Sequence, residues 1–359
     1  MNWPSHGSNP KYLFEALDLP IPKRLIDFSA NINPLGPPPE LEARWMDIFN
    51  RITDYPDPDA SELKKYISEI EQVDPQTILI GNGGADLISL VSRMLSGKNV
   101  LIIHPTFSEY EKNCSINECK IHYHQLDAPG WELDVKALRN KLDGIDALFL
   151  CNPNNPTGVQ YQSEAIMELL KASKEAECLF ILDEAFYDML SNYQPIIPFV
   201  EEFRNLIIIR SMTKMFAIPG LRLGYMIAHP EVIRRIGGYQ THWSVNVPAL
   251  AAGEICLQNR SFMVETRNYI IEERHKLFTF FSNERYVHSP SEVNFYLLKD
   301  TDTEDQLSLL RYLLTHGIVP RHTFNFPGLD GRWLRFGIKQ SSENDRLIEV
   351  LKQWRKHHL

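Results

Sequence analysis

Between Thr77 and Ala228 the sequence alternates short apolar segments with stretches that have helical spacing. Each apolar segment has the length of a β-strand, and turn residues follow it. The segments are Thr77–Ile80, Asn99–Ile103, Ala147–Cys151, Leu179–Leu182, Leu206–Ile209 and Leu223–Ala228. Strands that alternate with helices predict an α/β fold with a mostly parallel, doubly wound sheet. In such a sheet, ligands bind at the carboxyl ends of the strands.

Unusual polar segments follow most of these strands, at the point where each strand ends. They are Gly81–Asp86, His104–Tyr110, Asn152–Gly158, Asp183–Phe186 and Ser211–Tyr225. Because the carboxyl ends of parallel strands share one edge of the sheet, we expect these segments to converge on a single crevice.

The last of these segments contains Lys214, which follows two hydroxyl residues and precedes Arg222. The hydroxyls are those of Ser211 and Thr213. An arginine disfavours the ammonium form of a nearby lysine, and a free amine can form a Schiff base. The hydroxyls and the arginine can bind a phosphate. The alternative is a solvated lysine and arginine on a loop, and the other segments decide between the two.

Two further segments supply groups that suit a phosphate and a cation. Gly83, Gly84 and Ala85 begin a predicted helix, where free backbone N–H groups and the helix dipole favour a phosphate. A tight turn would use the same glycines. Asp183 ends a buried strand and needs a cation or a donor, which a protonated pyridine nitrogen would provide. A structural salt bridge or a helix cap is the alternative for Asp183.

The remaining segments offer an aromatic ring and an amide. Phe107 can stack on a planar heteroaromatic ring, although a plain core aromatic would look the same. Asn155 can donate to a phenolate oxygen, although its Asn-Pro setting also suits turn chemistry. Together these groups predict pyridoxal 5′-phosphate, a cofactor that acts as an electron sink. The lysine would form an imine, the acid would bind the ring nitrogen, the amide would bind the ring oxygen, and the phosphate site would bind the phosphate.

Composition makes several classes of function poor candidates. The 359-residue chain has a net charge of −9 and no long Lys/Arg run, so nucleic acid and anionic membranes are poor partners. No apolar run approaches the ~20 residues of a membrane helix, and the amino terminus lacks an apolar signal core. An odd number of cysteines without a Cys-x-x-Cys pair predicts a reducing, cytoplasmic location with no disulfide framework and no metal site.

In motif and order, the chain resembles the fold-type I pyridoxal-phosphate enzymes of aminotransferase class I/II over nearly its full length. The motifs that carry the resemblance are Asn152-Pro153-Asn154-Asn155-Pro156-Thr157-Gly158, Asp183-Glu184-Ala185 and Ser211-x-Thr213-Lys214 with Gly220-Leu221-Arg222-Leu223-Gly224. The resemblance implies a large cofactor domain over residues 41–240. It also implies an amino-terminal arm over 1–40 that contributes to the small domain and the active site. Residues 241–359 would form a connecting helix and an α+β small domain.

The resemblance also implies a role for each site residue. Lys214 is the Schiff-base lysine, Asp183 pairs with the pyridine nitrogen, Asn155 binds the ring oxygen and Phe107 stacks on the ring. The cofactor phosphate is bound by the backbone at Gly83, Gly84 and Ala85 together with Ser211, Thr213 and Arg222. Tyr55 resembles the residue that reaches this phosphate from a partner subunit, which implies a homodimer. Arg335 resembles the arginine that binds the substrate α-carboxylate.

Two subgroups of the family are most similar, the L-threonine-O-3-phosphate decarboxylases of cobalamin synthesis and the histidinol-phosphate aminotransferases. The decarboxylases share His6-Gly7-Ser8-Asn9, Leu25–Gly36, and phenylalanine in place of tyrosine at Phe186. The resemblance therefore implies decarboxylation of threonine phosphate, with transamination as the alternative. The predicted ligands of the substrate phosphate are His6, Ser8, Asn31, Asn33 and Arg321. A non-catalytic regulator that binds the cofactor is a third possibility, but no DNA-binding extension is visible.

Overall fold

The computed structural model of the protein describes residues 3–358 and the side chains of residues 3–356. Its largest sheet has seven strands in the order β2-β8-β7-β6-β5-β3-β4. Their bounds are β2 (Ile78–Gly81), β3 (Asn99–His104), β4 (Lys120–Gln125), β5 (Ala147–Cys151), β6 (Leu179–Asp183), β7 (Leu206–Ser211) and β8 (Gly224–Ala228). Strand β8 is antiparallel to β2 and to β7, and every other pairing is parallel. The predicted mostly parallel α/β sheet is therefore confirmed.

Helices cover both faces of this sheet, as a doubly wound fold requires. In β7 the side chains of Ile207 and Ile209 belong to one hydrophobic cluster, and those of Leu206 and Ile208 belong to the other. The first cluster includes residues of α5 and α6, and the second includes residues of α4 and α8. The helices of this half of the chain are α1 (Pro10–Ala16), α2 (Pro39–Ala43), α3 (Trp45–Phe49), α4 (Ser61–Glu71), α5 (Gly84–Met94), α6 (Glu109–Ile116), α7 (Val135–Arg139), α8 (Ser163–Glu175) and α9 (Pro230–Gly237).

The carboxyl-terminal part contains a smaller antiparallel sheet with helices beside it. The sheet has the order β12-β13-β10-β9. Its strands are β9 (Tyr286–His288), β10 (Phe295–Asp300), β12 (Arg321–His322) and β13 (Leu334–Gly337). The helices are α10 (Val247–Leu257), α11 (Arg260–Asn283), α12 (Leu307–Thr315) and α13 (Ser341–His358). None of the helices in the described part of the chain is long and apolar enough to cross a membrane.

The amino-terminal arm is attached to this carboxyl-terminal part. Its strand β1 (Ile26–Asp27) pairs in parallel with β11 (Ile318–Val319). The backbone N–H of Gly337 donates to the carbonyl oxygen of Phe28 at 2.7 Å. These bonds bring the arm residues that follow β1 to the side of β13. The predicted domain boundaries remain a prediction, but the contacts of the arm explain how it can reach a site at the edge of the large sheet.

Candidate active site

A cavity of about 250 Å³ lies where the parallel strands of the large sheet end. The arm, the start of α5, the ends of β5, β6 and β7, and residues of β12 and β13 all contribute to its wall. The predicted site residues that line it are His6, Ser8, Asn31, Gly84, Ala85, Phe107, Asn155, Asp183, Ser211, Thr213, Lys214, Arg222, Arg321 and Arg335. The five strand-end segments thus converge on one crevice, as their positions in the sequence indicated.

Lys214 follows the end of β7, and its amine has no hydrogen bond or salt bridge to the part of the chain that the structure describes. Burial is the main cause that lowers the pKa of Lys214, to about 8, and the charges of Arg222 and Arg335 lower it further. Asp183 opposes this shift by favouring the ammonium ion. A lysine with this pKa has a substantial fraction of free amine near neutral pH, which is the form that attacks a carbonyl carbon.

Asp183, the last residue of β6, is buried, and both of its carboxylate oxygens are bound. Oδ1 accepts from the backbone N–H of Ala185 at 3.0 Å, and Oδ2 accepts from the hydroxyl of Tyr110 at 2.5 Å. Burial raises the pKa of Asp183 to about 6, while the bonds from Tyr110 and Ala185 lower it. Each oxygen keeps a lone pair for one more donor, so the carboxylate can still accept a bond from a ring N–H.

The amino end of α5 forms the part of the wall that suits a phosphate. Gly83 caps the helix with φ = +85°, in the left-handed region that glycine adopts at no steric cost. A Cβ on Gly83 would come within 2.5 Å of Arg222 Nη2, so the guanidinium packs directly on this backbone. The hydroxyls of Ser211 and Thr213 lie 2.9 Å apart on the same wall. Helix N–H groups, an arginine and two hydroxyls form a site that suits a phosphate.

Arg335 on β13 is buried, and its hydrogen bonds within the described chain go to neutral acceptors. Its Nη1 donates to Asn155 Oδ1 at 2.5 Å, and its Nη2 donates to the carbonyl oxygen of Ser29 at 2.8 Å. Its Nε is buried without a hydrogen-bond partner in the described chain. Burial lowers the pKa of Arg335 to about 10. The charge of Asp27 partly offsets this shift, but no carboxylate of the described chain lies within salt-bridge distance of Arg335. A buried cation without a paired carboxylate is costly, and an anion in the cavity would relieve that cost.

Arg321 on β12 is a second buried cation in the same wall. Its guanidinium contacts the ring of His322 and donates to the carbonyl oxygen of Ser5 at 2.7 Å and to Asn325 Oδ1 at 2.8 Å. Burial, followed by the charge of Arg335, lowers the pKa of Arg321 to about 9. Among the described residues no carboxylate pairs with either arginine, so the two cations leave the cavity strongly positive.

The arm residues that line the cavity differ in their exposure and in their hydrogen bonds. His6 is about half exposed, and its Nε2 lies 2.9 Å from Glu109 Oε1. The backbone N–H of Ser8 donates to Ser29 Oγ at 2.8 Å. This bond fixes the Ser8 backbone beside Ser29, whose carbonyl oxygen accepts from Arg335. The side-chain oxygen of Asn31 is buried and has no partner in the described chain. Asn31 therefore still has an oxygen that a ligand donor could satisfy.

Three predicted residues are not among those that line the cavity: Gly83, which directly precedes Gly84 of the wall, and Asn33 and Tyr55, which lie elsewhere. Asn33 does not line the cavity: its amide nitrogen donates to the carbonyl oxygen of Met215 at 2.7 Å and to Thr266 Oγ1 at 2.8 Å. The prediction that Asn33 binds substrate phosphate is therefore corrected, because its amide joins the arm to the segment after Lys214. Tyr55 is 80% exposed, outside the cavity of its own chain, and its ring centroid lies 4.9 Å from that of Trp243.

The cavity also contains residues that we did not predict. Ser5, Ser29, Cys151 and Phe326 line it, and Tyr110 lies behind it with its hydroxyl on Asp183. The sequence signal for Tyr110 was its position three residues after Phe107 at the start of a helix. In the structure Phe107 precedes α6 and Tyr110 is its second residue, so the spacing does not reveal that a carboxylate of another strand receives the hydroxyl.

The residues present fit pyridoxal 5′-phosphate. Lys214 has a free amine, Asp183 can accept a ring N–H, and the wall at α5 offers donors for a phosphate. The charges agree as well, because Lys214, Arg222, Arg321 and Arg335 line the cavity and Asp183 is the one acidic residue among the described lining. A cofactor phosphate and an anionic substrate would balance this excess of positive charge.

Comparisons with known proteins agree with this site. Residues 23–351 match the family model described as "Aminotransferase class I and II". Threonine-phosphate decarboxylase of Salmonella typhimurium is 34% identical to this chain, over 97% of this chain and 96% of its own length.

Two solved structures are similar throughout. The histidinol-phosphate aminotransferase of Clostridium acetobutylicum has a TM-score of 0.88 at 30% identity, and the match covers 93% of this chain and all of that one (100%). The L-threonine-O-3-phosphate decarboxylase of Porphyromonas gingivalis has a TM-score of 0.81 at 26% identity, and the match covers 91% and 98% of the two chains. The chain therefore belongs to the aminotransferase class I and II family of pyridoxal-phosphate-dependent enzymes with fold type I, which confirms the predicted family, fold and cofactor.

Proposed function

We propose that this enzyme decarboxylates L-threonine O-3-phosphate to (R)-1-amino-2-propanol O-phosphate in cobalamin biosynthesis. The observation that carries the proposal is the pair of buried guanidinium groups, Arg321 and Arg335, that line the cavity of Lys214 without a carboxylate partner in the described chain. Threonine phosphate carries a carboxylate and a phosphate on one small molecule, so one anion is available for each arginine. The similarity to the Salmonella decarboxylase supports the same substrate.

The two arginines would bind different anions. Arg335 lies beside Asn155, which we assign to the ring oxygen of the cofactor, so its free Nε suits the α-carboxylate near the reacting carbon. Arg321 lies beside Ser5 and near the other arm residues, so we assign it to the substrate phosphate. His6 and Ser8 complete this phosphate site, and Asn31 would contribute through its amide N–H groups, because its oxygen can only accept. The arrangement would fix both ends of the substrate and thereby orient the bond between Cα and the carboxylate.

The remaining assignments concern the cofactor. Asp183 would bind the ring nitrogen, Asn155 the ring oxygen and Phe107 one face of the ring. The backbone at Gly83, Gly84 and Ala85 would bind the phosphate with Ser211, Thr213 and Arg222. When bound, the cofactor supplies an electron sink for the electron pair that remains at Cα as CO2 leaves.

Lys214 would have two tasks in this reaction. Its amine has no hydrogen bond or salt bridge within the described chain, and its pKa is about 8. Lys214 can therefore bind the cofactor and then be replaced by the substrate amine. Once released, Lys214 Nζ would take up the proton that the substrate ammonium gives up, and the resulting ammonium can deliver it to Cα after the carboxylate has departed. The burial of the surrounding wall keeps bulk water from competing for this proton transfer.

Transamination of histidinol phosphate or a related amine is the second candidate. The observation that favours it is the higher TM-score of the Clostridium acetobutylicum aminotransferase, 0.88 against 0.81 for the decarboxylase structure. Phe186 favours decarboxylation. It lines the cavity at a position where the aminotransferases that the chain resembles have tyrosine.

Product analysis separates the two. The purified protein, loaded with pyridoxal phosphate, is incubated with threonine phosphate and no keto acid. Release of CO2 together with aminopropanol phosphate supports the proposal, whereas turnover of histidinol phosphate that depends on 2-oxoglutarate, without CO2 from threonine phosphate, refutes it. Arg321→Met serves as the matched variant, because it should lower kcat/KM for threonine phosphate by about 10²-fold and leave the much weaker reaction of threonine unchanged.

We also propose a homodimer in which Tyr55 reaches the cofactor phosphate of the partner subunit. Tyr55 is too exposed to serve its own chain's cavity, and Trp45, Met46, Phe49 and Ile52 expose apolar surface in the same segment. Several exposed apolar side chains in one short segment favour an interaction surface. Mixed dimers of Lys214→Ala and Tyr55→Ala chains test the arrangement. One intact site forms in each mixed dimer if Tyr55 acts on the partner, and activity then recovers; if Tyr55 acts within its own chain, mixing restores nothing.

A further inference from the structure

We propose that Tyr110 is a positioning residue that keeps the Asp183 carboxylate ionised and correctly oriented for the ring nitrogen of the cofactor. The inference rests on the assignment of Asp183 made above. Its basis is the 2.5 Å hydrogen bond from the Tyr110 hydroxyl to Asp183 Oδ2. The bond joins the start of α6 to the end of β6, which lie 73 residues apart in the chain.

Ring packing holds Tyr110 so that its hydroxyl donates to this carboxylate and also lies beside the Cys151 thiol. Tyr110 is completely buried. Its ring stacks on Phe149 of β5 with centroids 5.2 Å apart, and its edge meets the ring of Phe107 at 5.9 Å and 86°. Phe107 is the residue assigned to the face of the cofactor ring. Tyr110 therefore supports both the carboxylate and the stacking ring from behind.

The carboxylate needs this support because its surroundings favour the neutral acid. Burial is the largest cause that raises the pKa of Asp183, and the neighbouring charge of Glu184 raises it too. Tyr110, the backbone of Ala185 and the charge of Lys214 act in the opposite direction. The Cys151 thiol, which pairs with Asp183 across β5 and β6, stays neutral because burial raises its pKa. Tyr110 is thus the strongest single group that keeps Asp183 ionised.

Cofactor affinity should depend on pH through the ionisation of Asp183. A protonated ring nitrogen binds an ionised Asp183, so cofactor affinity should fall as the pH falls through the pKa of Asp183. Tyr110→Phe keeps the ring packing and removes only the hydroxyl. The pKa of Asp183 then rises, and the loss of affinity should begin about one pH unit higher than in the wild type. The other groups that titrate near the cavity are the same in both proteins.

The test measures cofactor binding and not turnover. The full chain, stripped of cofactor, is titrated with pyridoxal 5′-phosphate from about pH 5 to about pH 9, and binding is followed by absorbance. Tyr110→Phe should bind about tenfold more weakly than the wild type near pH 6 and approach it at high pH. Tyr296→Phe is the matched control, because Tyr296 is equally buried and its hydroxyl has no partner in the described chain.

The same substitution in an Asp183→Asn protein shows whether Tyr110 acts through the Asp183 carboxylate or through ring packing. In Asp183→Asn the carboxylate is gone, so adding Tyr110→Phe should change cofactor affinity little. An equal loss of affinity at every pH, or the same loss in the Asp183→Asn background, would overturn the proposal. If the wild type itself fails to bind the cofactor, the assignment of Asp183 fails instead, so the two failures are distinguishable. Thermal unfolding of each variant shows whether it is folded.

Discussion

Arg335 Nη1 donates to Asn155 Oδ1 at 2.5 Å, which connects the residue assigned to the substrate carboxylate with the one assigned to the cofactor ring. A guanidinium has donors only, so Asn155 must turn its oxygen toward Arg335. Its NH2 group is then left to donate elsewhere, as binding of a ring oxygen requires. The orientation of one amide therefore follows from the position of one arginine.

Arg335→Lys should lower kcat/KM by about 10²-fold, mainly through a higher KM. A lysine cannot replace the planar group that binds Asn155, Ser29 and a carboxylate together, and such losses cost about 2–4 kcal/mol. Steady-state kinetics with threonine phosphate measure the effect. Arg332→Lys is the control, because Arg332 is about half exposed, forms an ion pair with Asp330 and otherwise donates to nearby backbone carbonyls. An unchanged KM in Arg335→Lys would contradict the assignment of Arg335.

Phe186→Tyr should change the electronic state of the bound cofactor. Phe186 is buried, lines the cavity and packs on Phe295 with ring centroids 4.8 Å apart. A hydroxyl at this position adds a donor that stabilises the deprotonated ring oxygen. The pH at which the cofactor absorbance changes should therefore fall by about one unit. Phe186→Leu adds no donor and should leave that pH nearly unchanged; equal shifts in both variants would refute the explanation.

The strand-end residues could be predicted because their signals are local. An apolar strand followed by polar or turn residues determines both the fold class and the edge at which Lys214, Asp183 and Asn155 meet. The error at Asn33 has the same origin. An Asn-Gly-Pro loop has the same sequence pattern whether its amide faces a cavity or a backbone carbonyl, and here Asn33 faces Met215 and Thr266.

Other features depend on tertiary contacts and were not predictable. Strand β4 reads Lys-Ile-His-Tyr-His-Gln and lies at the edge of the sheet, so it lacks the apolar run of a central strand. The partner of the Tyr110 hydroxyl comes from another strand, and no spacing within the sequence encodes it. Among the described residues, neither Arg321 nor Arg335 has a carboxylate at salt-bridge distance, and this too becomes visible only when the chain is folded.

Lys214 should react as an amine with a pKa of about 8 and not as an ordinary lysine near 10.5. Burial, Arg222 and Arg335 all disfavour its ammonium form. The rate at which cofactor-free protein incorporates pyridoxal phosphate should therefore rise with pH and level off just above pH 8. Stopped-flow absorbance follows this rate. A rate that still increases tenfold per unit near pH 10 would show that Lys214 is not desolvated in solution. Lys214→Ala should lose the absorbance band of the linked cofactor entirely.

Arg210→Met should destabilise the protein strongly, because the fully buried Arg210 pairs with the buried carboxylate of Glu184 and the partly buried carboxylate of Glu71. Its Nε donates to Glu184 Oε2 at 2.9 Å and its Nη1 to Glu71 Oε1 at 2.6 Å. Glu184 follows Asp183, and Arg210 precedes Ser211, so the pair fixes the ends of β6 and β7 beneath the cofactor site. Removal of one partner from a buried ion pair costs about 3–5 kcal/mol, which chemical denaturation of the cofactor-free protein can measure.

Further variants test whether the loss of stability in Arg210→Met comes from unpaired buried charge. Arg204→Met removes an exposed arginine that pairs with the exposed Glu231, and it should cost less than about 1 kcal/mol. In the Arg210→Met background, Glu184→Gln should recover part of the lost stability, because it removes a buried charge that Arg210 no longer balances. Glu71→Gln should recover less, because Glu71 is partly exposed. If the glutamines destabilise that variant further, the loss arises from packing around Tyr187, whose ring lies 3.5 Å below the guanidinium, and not from unpaired charge.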